Sequence, residues 1–164
     1  MKINIKDIVE NLIETFLEAE RTSLFLREKG LIKKIKNDNT PVTNGDLEVN
    51  KIITQKIIKL TPDIPIVSEE TSENKSSGNL NNFWLVDPID GTYDYMNNLE
   101  EFTINAGLII KKKPVAGLIY APAKDRMFYS YGENFAYELI NKKMSKLNCS
   151  KNFKKGEIKF VSYS

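Results

Sequence analysis

The stretch Trp84-Leu85-Val86-Asp87-Pro88-Ile89-Asp90-Gly91-Thr92 constrains this chain more than any other. An apolar, strand-like run delivers two carboxylates, a glycine and a hydroxyl into one tight turn. Aromatic and β-branched residues ahead of Asp87 favour a buried strand, and Pro88 and Gly91 punctuate its end, so the carboxylates are expected at the strand's C-terminal edge. Asp and Glu oxygens are hard ligands of the kind Mg²⁺ prefers, and backbone N–H groups around Gly91 and Thr92 can receive an anion if a helix starts there. Taken alone, Asp90-Gly91 also fits an ordinary surface turn, since Asp-Gly pairs form turns whatever the protein does.

Two other acidic segments weigh against that plain reading. Pro65-Ile66-Val67-Ser68-Glu69-Glu70 is a second short apolar run that ends in paired carboxylates, and Thr40-Pro41-Val42-Thr43-Asn44-Gly45-Asp46 sets a further acid beside a helix start. Acids at three element ends suit convergence on one polyvalent cation.

Composition removes whole classes of chemistry. The chain has no histidine and one cysteine, Cys149, so Ser-His-Asp triads, Cys-His nucleophiles and the usual zinc sites cannot be built within it. A single cysteine forms no intrachain disulfide and reads as a passive small residue. Without an apolar signal segment or a hydrophobic span of roughly 18 residues, the expectation is a soluble cytoplasmic protein with no membrane partner. The formal charge is +2, from 24 basic and 22 acidic residues. Lysines cluster at Lys33-Lys34-Lys36, Lys111-Lys112-Lys113 and Lys151-Lys154-Lys155, and the one aromatic residue between them, Phe153, is too little for a stacking surface, so these read as solvated turns and not as a nucleic-acid surface. A lesser role in attracting an anionic small substrate stays open.

Ile5, Ile8, Val9, Leu12, Ile13, Phe16 and Leu17 recur at helical spacing and Gly30 supplies a stop, which predicts a first helix of about 25 residues. A second helix follows Thr43 or Asn44 as its cap, carries Ile52, Ile53, Ile57 and Leu60, and ends before Pro62. From Phe102 the rhythm changes to short β-branched and aromatic segments at Thr103–Ile110, Val115–Tyr120, Arg126–Tyr131 and Phe135–Ile140, separated by turn sequences. Short turns imply antiparallel neighbours, so the predicted class is α+β, with two long helices on one face of a mainly antiparallel sheet. Asn141 to Gly156 reads as a polar connector, and Ile158 to Val161 as the start of a strand with no successor. The expected organisation is an N-terminal α+β domain over 1–156 and, over 157–164, the first strand of a truncated second αβ domain.

The order of three segments resembles a known family, the 3′(2′),5′-bisphosphate nucleotidases of the inositol monophosphatase-like superfamily of Mg²⁺-dependent phosphatases. The segments are Lys36-Asn37-Asp38-Asn39-Thr40-Pro41-Val42-Thr43-Asn44-Gly45-Asp46, then Ile66-Val67-Ser68-Glu69-Glu70, then Trp84 to Thr92. Glu101-Phe102-Thr103-Ile104-Asn105 and Gly117-Leu118-Ile119-Tyr120-Ala121-Pro122 extend the likeness. Asp-Pro-Ile-Asp-Gly-Thr is specific to the superfamily; Pro-Val-Thr with Ser-Glu-Glu and Glu-Phe-Thr tips the choice, more weakly, toward nucleotidase.

The resemblance implies a layered αβ sandwich and a set of roles. Glu69, Asp87 and the Ile89 carbonyl would hold a first Mg²⁺; Asp87, bridging, and Asp90 would contribute to a second; Glu70 would lie beside them as an outer group or a ligand of a third ion. Thr92 and Asp46 would share a hydrogen bond that orients the attacking water, while Gly91 and Thr92 N–H groups cradle the phosphate. A chain without histidine does need a metal to acidify water and a carboxylate to receive the proton. Two departures stand out. Gly45 replaces the family's usual alanine, which would loosen a helix start by up to about 1 kcal/mol. The family's C-terminal part, with a further aspartate ligand and most nucleotide contacts, lies beyond Ser164.

The implied activity is removal of the 3′-phosphate from adenosine 3′,5′-bisphosphate, giving AMP and phosphate, a lithium-sensitive reaction tied to sulfur assimilation. An inositol or sugar phosphatase of the same fold is the second reading, and a catalytically silent fragment that binds Mg²⁺ or a partner chain is the third. An EF-hand is excluded because aligning Gly91 with its glycine puts Val86 and Pro88 at ligand positions. No P-loop or Gly-x-Gly-x-x-Gly sequence exists to support a kinase or dehydrogenase. Oligomeric state is not legible.

Overall fold

A computed structural model describes residues 4–36, 39–70 and 80–148. The first helix, α1 (Ile5–Lys29), begins at Asn4, whose side chain accepts the Asp7 N–H, and stops at Gly30, which adopts φ +99° and returns its N–H to Arg27. Its apolar stripe buries Val9, Leu12, Phe16 and Ala19 completely. A short hairpin follows, β1 (Lys33–Ile35) paired antiparallel with β2 (Pro41–Thr43). Thr43 then caps α2 (Asn44–Leu60), which buries Val49, Ile53 and Ile57. The cap is reciprocal: Thr43 receives N–H groups from Gly45 and Asp46, and Asp46 receives the Thr43 N–H.

The main sheet has seven strands in the order β3 (Ile66–Ser68), β4 (Phe83–Asp90), β5 (Thr103–Ile110), β6 (Lys113–Ala121), β7 (Arg126–Tyr131), β8 (Ala136–Ile140) and β9 (Lys143–Lys146). Only β3 and β4 run parallel; every other neighbouring pair is antiparallel. A five-residue helix, α3 (Thr92–Met96), and a 3₁₀ turn at Pro122–Lys124 fill the β4–β5 and β6–β7 connections. Alternation along the strands sends Trp84, Val86, Ile104, Leu108, Leu118, Tyr120 and Met127 into one core with α1 and α2. Trp84 also donates its indole N–H to Thr61 Oγ1 at 3.0 Å, which ties β4 to the end of α2. The expected α+β class, with two long helices on one face of a mainly antiparallel sheet, is what the chain forms.

Three local expectations are corrected. Asn141 to Gly156 is not a connector from its start, because Lys143–Lys146 pairs with β8 as the edge strand β9. Asn141 and Lys142 both take positive φ, 47° and 60°, so a tight two-residue turn reverses the chain with no glycine to announce it. All four residues of β9 are exposed, which erased the alternating pattern. For the same reason the exposed strand β1 was not foreseen. Strand β6 also starts earlier than expected, at Lys113, because Lys111 and Lys112 form the turn at φ 51° and 61°. The strand expected from Ile158, the domain boundary near 157 and Cys149 lie outside the described residues.

Candidate metal centre

Parallel pairing of β3 and β4 brings their C-terminal ends to the same edge. The Glu69 N–H donates to the Val86 carbonyl at 3.1 Å, so Glu69 and Glu70 leave the sheet beside Asp87. The β4–β5 ladder then slips: Asp87 pairs with Asn105 and Asp90 with Thr103, while Pro88 and Ile89 between them are buried. This irregularity turns Asp90 outward. Gly91 completes the bend at φ +89°, and a Cβ there would sit 2.7 Å from the Glu101 carbonyl, so both conformation and space demand glycine. Gly91 is also the residue from which α3 departs, with Thr92 as its first member.

The electrostatics of this edge are those of crowded acid. Burial, then the charges of Glu69 and Asp90, push the Asp87 carboxyl up to about 7. Its Oδ1 is buried and has no hydrogen-bond partner. Lys36, just past the end of β1, reaches over from the hairpin, with Nζ 3.1 Å from Glu69 Oε1 and 2.8 Å from Glu70 Oε1. Glu70 nevertheless stays above the usual carboxylate range, since burial and the nearby Asp46 and Glu69 charges outweigh the ammonium. Burial lowers the Lys36 pKa, but the two carboxylates more than offset it and the net direction is up.

Asp46 is deeply buried at the first turn of α2. Thr43 holds Asp46 Oδ2 through both its N–H, at 2.8 Å, and its hydroxyl. Oδ1 is left to face Thr92, whose Oγ1 lies 3.4 Å away and 3.1 Å from the Ile89 carbonyl. One hydroxyl proton can serve only one of those acceptors at a time. Burial raises the Asp46 pKa against the lowering effect of its Thr43 hydrogen bonds.

Sequence-predicted residues thus fall into two neighbouring groups. Glu69, Asp87 and Asp90 share one electrostatic cluster, and Asp46, Thr92 and Ile89 share one hydrogen-bond cluster. Glu70 is drawn to Lys36. Among the described residues no three acidic side chains form a ready-made cation cage, which is consistent with the Lys36 ammonium engaging Glu69 and Glu70. The donors nonetheless fit a hard divalent ion: all are oxygens, one of them is buried and unpartnered, and the like charges need a counter-charge that a single lysine does not supply.

Several residues with a bearing on this edge were not assigned from sequence. Lys36 was grouped with exposed Lys33 and Lys34, and only the fold reveals that it bends inward. Ser68 donates to Asn50 Oδ1 at 2.6 Å in the core and so fastens β3 to α2 just before Glu69. Gly45 is explained by Tyr95. A Cβ on residue 45 would lie 2.3 Å from the Tyr95 hydroxyl, which donates to the Ser23 carbonyl of α1 at 2.7 Å. The glycine therefore serves close packing of α1, α2 and α3, beyond any effect on the helix start.

A family model described as the inositol monophosphatase family matches residues 3–158. The 3′(2′),5′-bisphosphate nucleotidase CysQ of Buchnera aphidicola is 35% identical over 144 residues, covering 81% of this chain and 54% of the relative. That of Escherichia coli O6:H1 is 40% identical over 104 residues, covering 63% and 42%. This chain spans about half the length of the curated relatives it matches. Among solved structures, the Thermotoga maritima inositol monophosphatase aligns at TM-score 0.74 and 24% identity, over 89% of this chain and 55% of that one. An inositol monophosphatase/NADP phosphatase complexed with Mg²⁺ and phosphate aligns at TM-score 0.68 and 21% identity, over 79% and 50%. At those identities the structural likeness speaks for the fold. With the family model spanning both helices and the whole meander as well as the acidic edge, the chain belongs to the inositol monophosphatase family.

Proposed function

We propose that this chain is the metal-carrying N-terminal part of a divalent-cation-dependent phosphomonoesterase that removes the 3′-phosphate of adenosine 3′,5′-bisphosphate. The observation that carries the reading is Asp87, a half-buried carboxyl with an unpartnered oxygen, pushed to about 7 beside Glu69 and Asp90. Acids crowded at a strand end cost stability unless something positive joins them. The nucleotide substrate is supported by the names of relatives such as the Buchnera and Escherichia coli enzymes.

Glu69, Asp87, Asp90 and the Ile89 carbonyl would hold one or two Mg²⁺ ions, with Glu70 beside them or on a third. A bound divalent cation would acidify water and offset charge on the phosphoryl group in flight. The chain's own residues do the rest. With the Ile89 carbonyl given over to the ion, the Thr92 hydroxyl would donate its hydrogen bond to Asp46 Oδ1, which would aim an oxygen lone pair at the attacking water. Asp46, kept above the ordinary carboxylate range by burial, is suited to receive a proton from that network. The N–H groups of Gly91 and Thr92 would cradle the phosphate. The water oxygen would bond to phosphorus as its proton passes to Asp46, the P–O3′ bond would break, and that proton would be returned to the leaving oxygen as the 3′ hydroxyl of AMP.

An inositol or sugar monophosphatase is the second reading, supported by the inositol monophosphatase family model that matches residues 3–158. Phosphate release from adenosine 3′,5′-bisphosphate and from inositol 1-phosphate, each with Mg²⁺ and with EDTA, separates the two. We expect Mg²⁺-dependent preference for the nucleotide in a version that includes a relative's C-terminal half. The 164-residue chain alone, which spans about half the length of the curated relatives it matches, should turn over at least about 10³-fold more slowly. Thr92→Ala should lower kcat about 10²-fold with KM little changed. Wild-type turnover by Thr92→Ala would remove the Thr92 and Asp46 roles; absence of any Mg²⁺ response would leave a silent fragment.

A further inference from the structure

Two buried side-chain oxygens among the described residues have no hydrogen-bond partner, and they belong to residues that directly face each other across two strands: Asp87 Oδ1 on β4 and Asn105 Oδ1 on β5. Asp87 is a ligand in the proposed metal site, and a role for Asn105 depends on that reading. Asn105 itself has no assignment there. The amide nitrogen of Asn105 is engaged, donating to Thr103 Oγ1 at 3.0 Å and reaching Asp90 Oδ2 at 3.5 Å. Its carbonyl oxygen is therefore turned the other way, buried at the same register position as the Asp87 carboxylate. An unpaired buried carbonyl destabilises the fold. Nothing in the strand calls for it, because the next positions on that row are Ile119 of β6 and Phe128 of β7, and an apolar residue would pair well with them.

We propose that Asn105 is a positioning residue of the cation site: its Oδ1 accepts a hydrogen bond from a water in the hydration shell of a divalent ion held by Asp87, while its Nδ2 steadies Asp90. Mg²⁺ keeps several of its waters, and each needs acceptors for its protons. A neutral amide gives an acceptor without adding a further negative charge to Glu69, Asp87 and Asp90. The slip in the β4–β5 ladder between Asp87 and Asp90 gives this amide its place, since it sets Asn105 opposite one carboxylate and within reach of the other.

The test uses the 164-residue chain and three proteins, wild type, Asn105→Leu and Asn105→Asp, with thermal unfolding in EDTA and in Mg²⁺, and with calorimetric Mg²⁺ titration. Asn105→Leu should melt above wild type in EDTA, since it removes the orphaned oxygen. The same variant should show a smaller Mg²⁺-induced rise in Tm and a Kd for Mg²⁺ weakened about 10-fold or more. Asn105→Asp gives up the weak Nδ2 contact to Asp90 but retains the acceptor and adds a negative charge, so it should bind Mg²⁺ at least as tightly as wild type at pH 8; if Asn105→Leu does not fold, this variant carries the test. An Asn105→Leu protein that binds Mg²⁺ like wild type, or an Asn105→Asp protein that binds more weakly, overturns the role of Asn105 and leaves the metal centre standing. A wild-type chain without heat or Tm response to Mg²⁺ overturns both.

Discussion

The two faces of the main sheet are built from the same strands and have opposite fates. On one, Trp84, Val86, Leu108 and Leu118 are excluded from water beneath α1 and α2. On the other, Leu85 and Ile119 remain 53% and 50% exposed although they neighbour those residues in the chain. Alternation accounts for the split, since each step along a strand reverses the side chain. The covered face supplies packing. The open face supplies the row on which Asp87 and Asn105 stand opposite each other, so the apolar side holds in place what the polar side uses.

The largest effect that tests this contrast is expected at Trp84. Trp84→Ala should cost about 3–5 kcal/mol in urea unfolding, because it opens a cavity and removes the buried hydrogen bond to Thr61 Oγ1. Leu85→Ala, one residue away, should cost no more than about 0.5 kcal/mol. Comparable losses would mean that the second face is covered in the protein as measured.

A smaller effect should appear where the helices meet the acidic edge. Gly45→Ala would improve an ordinary helix, but here the added methyl meets Tyr95, and a loss of about 1–3 kcal/mol is expected from overpacking. Tyr95→Phe should recover part of that loss in the double variant, since a ring without its hydroxyl no longer has to reach Ser23. A stabilised Gly45→Ala protein would show that the α2 start is not pressed against α3.

The smallest effect is a pH slope. Asp87 binds its proton more tightly in the folded chain, at about 7, than at the ordinary value of 3.8. The metal-free protein's stability from this group is therefore full below about 3.8 and lost as pH rises through about 7. Asp87 is only half-buried and water screens part of the effect, so a decline on the order of 1 kcal/mol is expected. Asp87→Asn should flatten the slope over that window in metal-free thermal unfolding and should also weaken Mg²⁺ binding more than Asp46→Asn does. An unchanged slope would place the raised pKa elsewhere.

Much of the architecture was legible in local pattern. Both long helices, the four central meander strands and the strand ahead of Asp87 follow from periodicity, caps and turn residues, which act over a few positions. Strands β1 and β9 were not legible, for they are exposed edges without alternation and owe their existence to a neighbour. The acids at Glu69, Glu70, Asp87, Asp90 and Asp46 could be read as a set because each lies within a few positions of an element's end or start.

By itself, then, the sequence determined the class of fold and the groups available to the candidate site: carboxylates near strand ends, no histidine, a glycine turn after the second aspartate. Only the tertiary structure decided who meets whom. Lys36 against Glu70, Thr92 against Asp46 and Tyr95 against Ser23 are separated by 34, 46 and 72 positions in the chain. Asn105 opposite Asp87 depends on the strand register and its slip. Such contacts arise from how buried layers fit together, a constraint that no short window of residues contains.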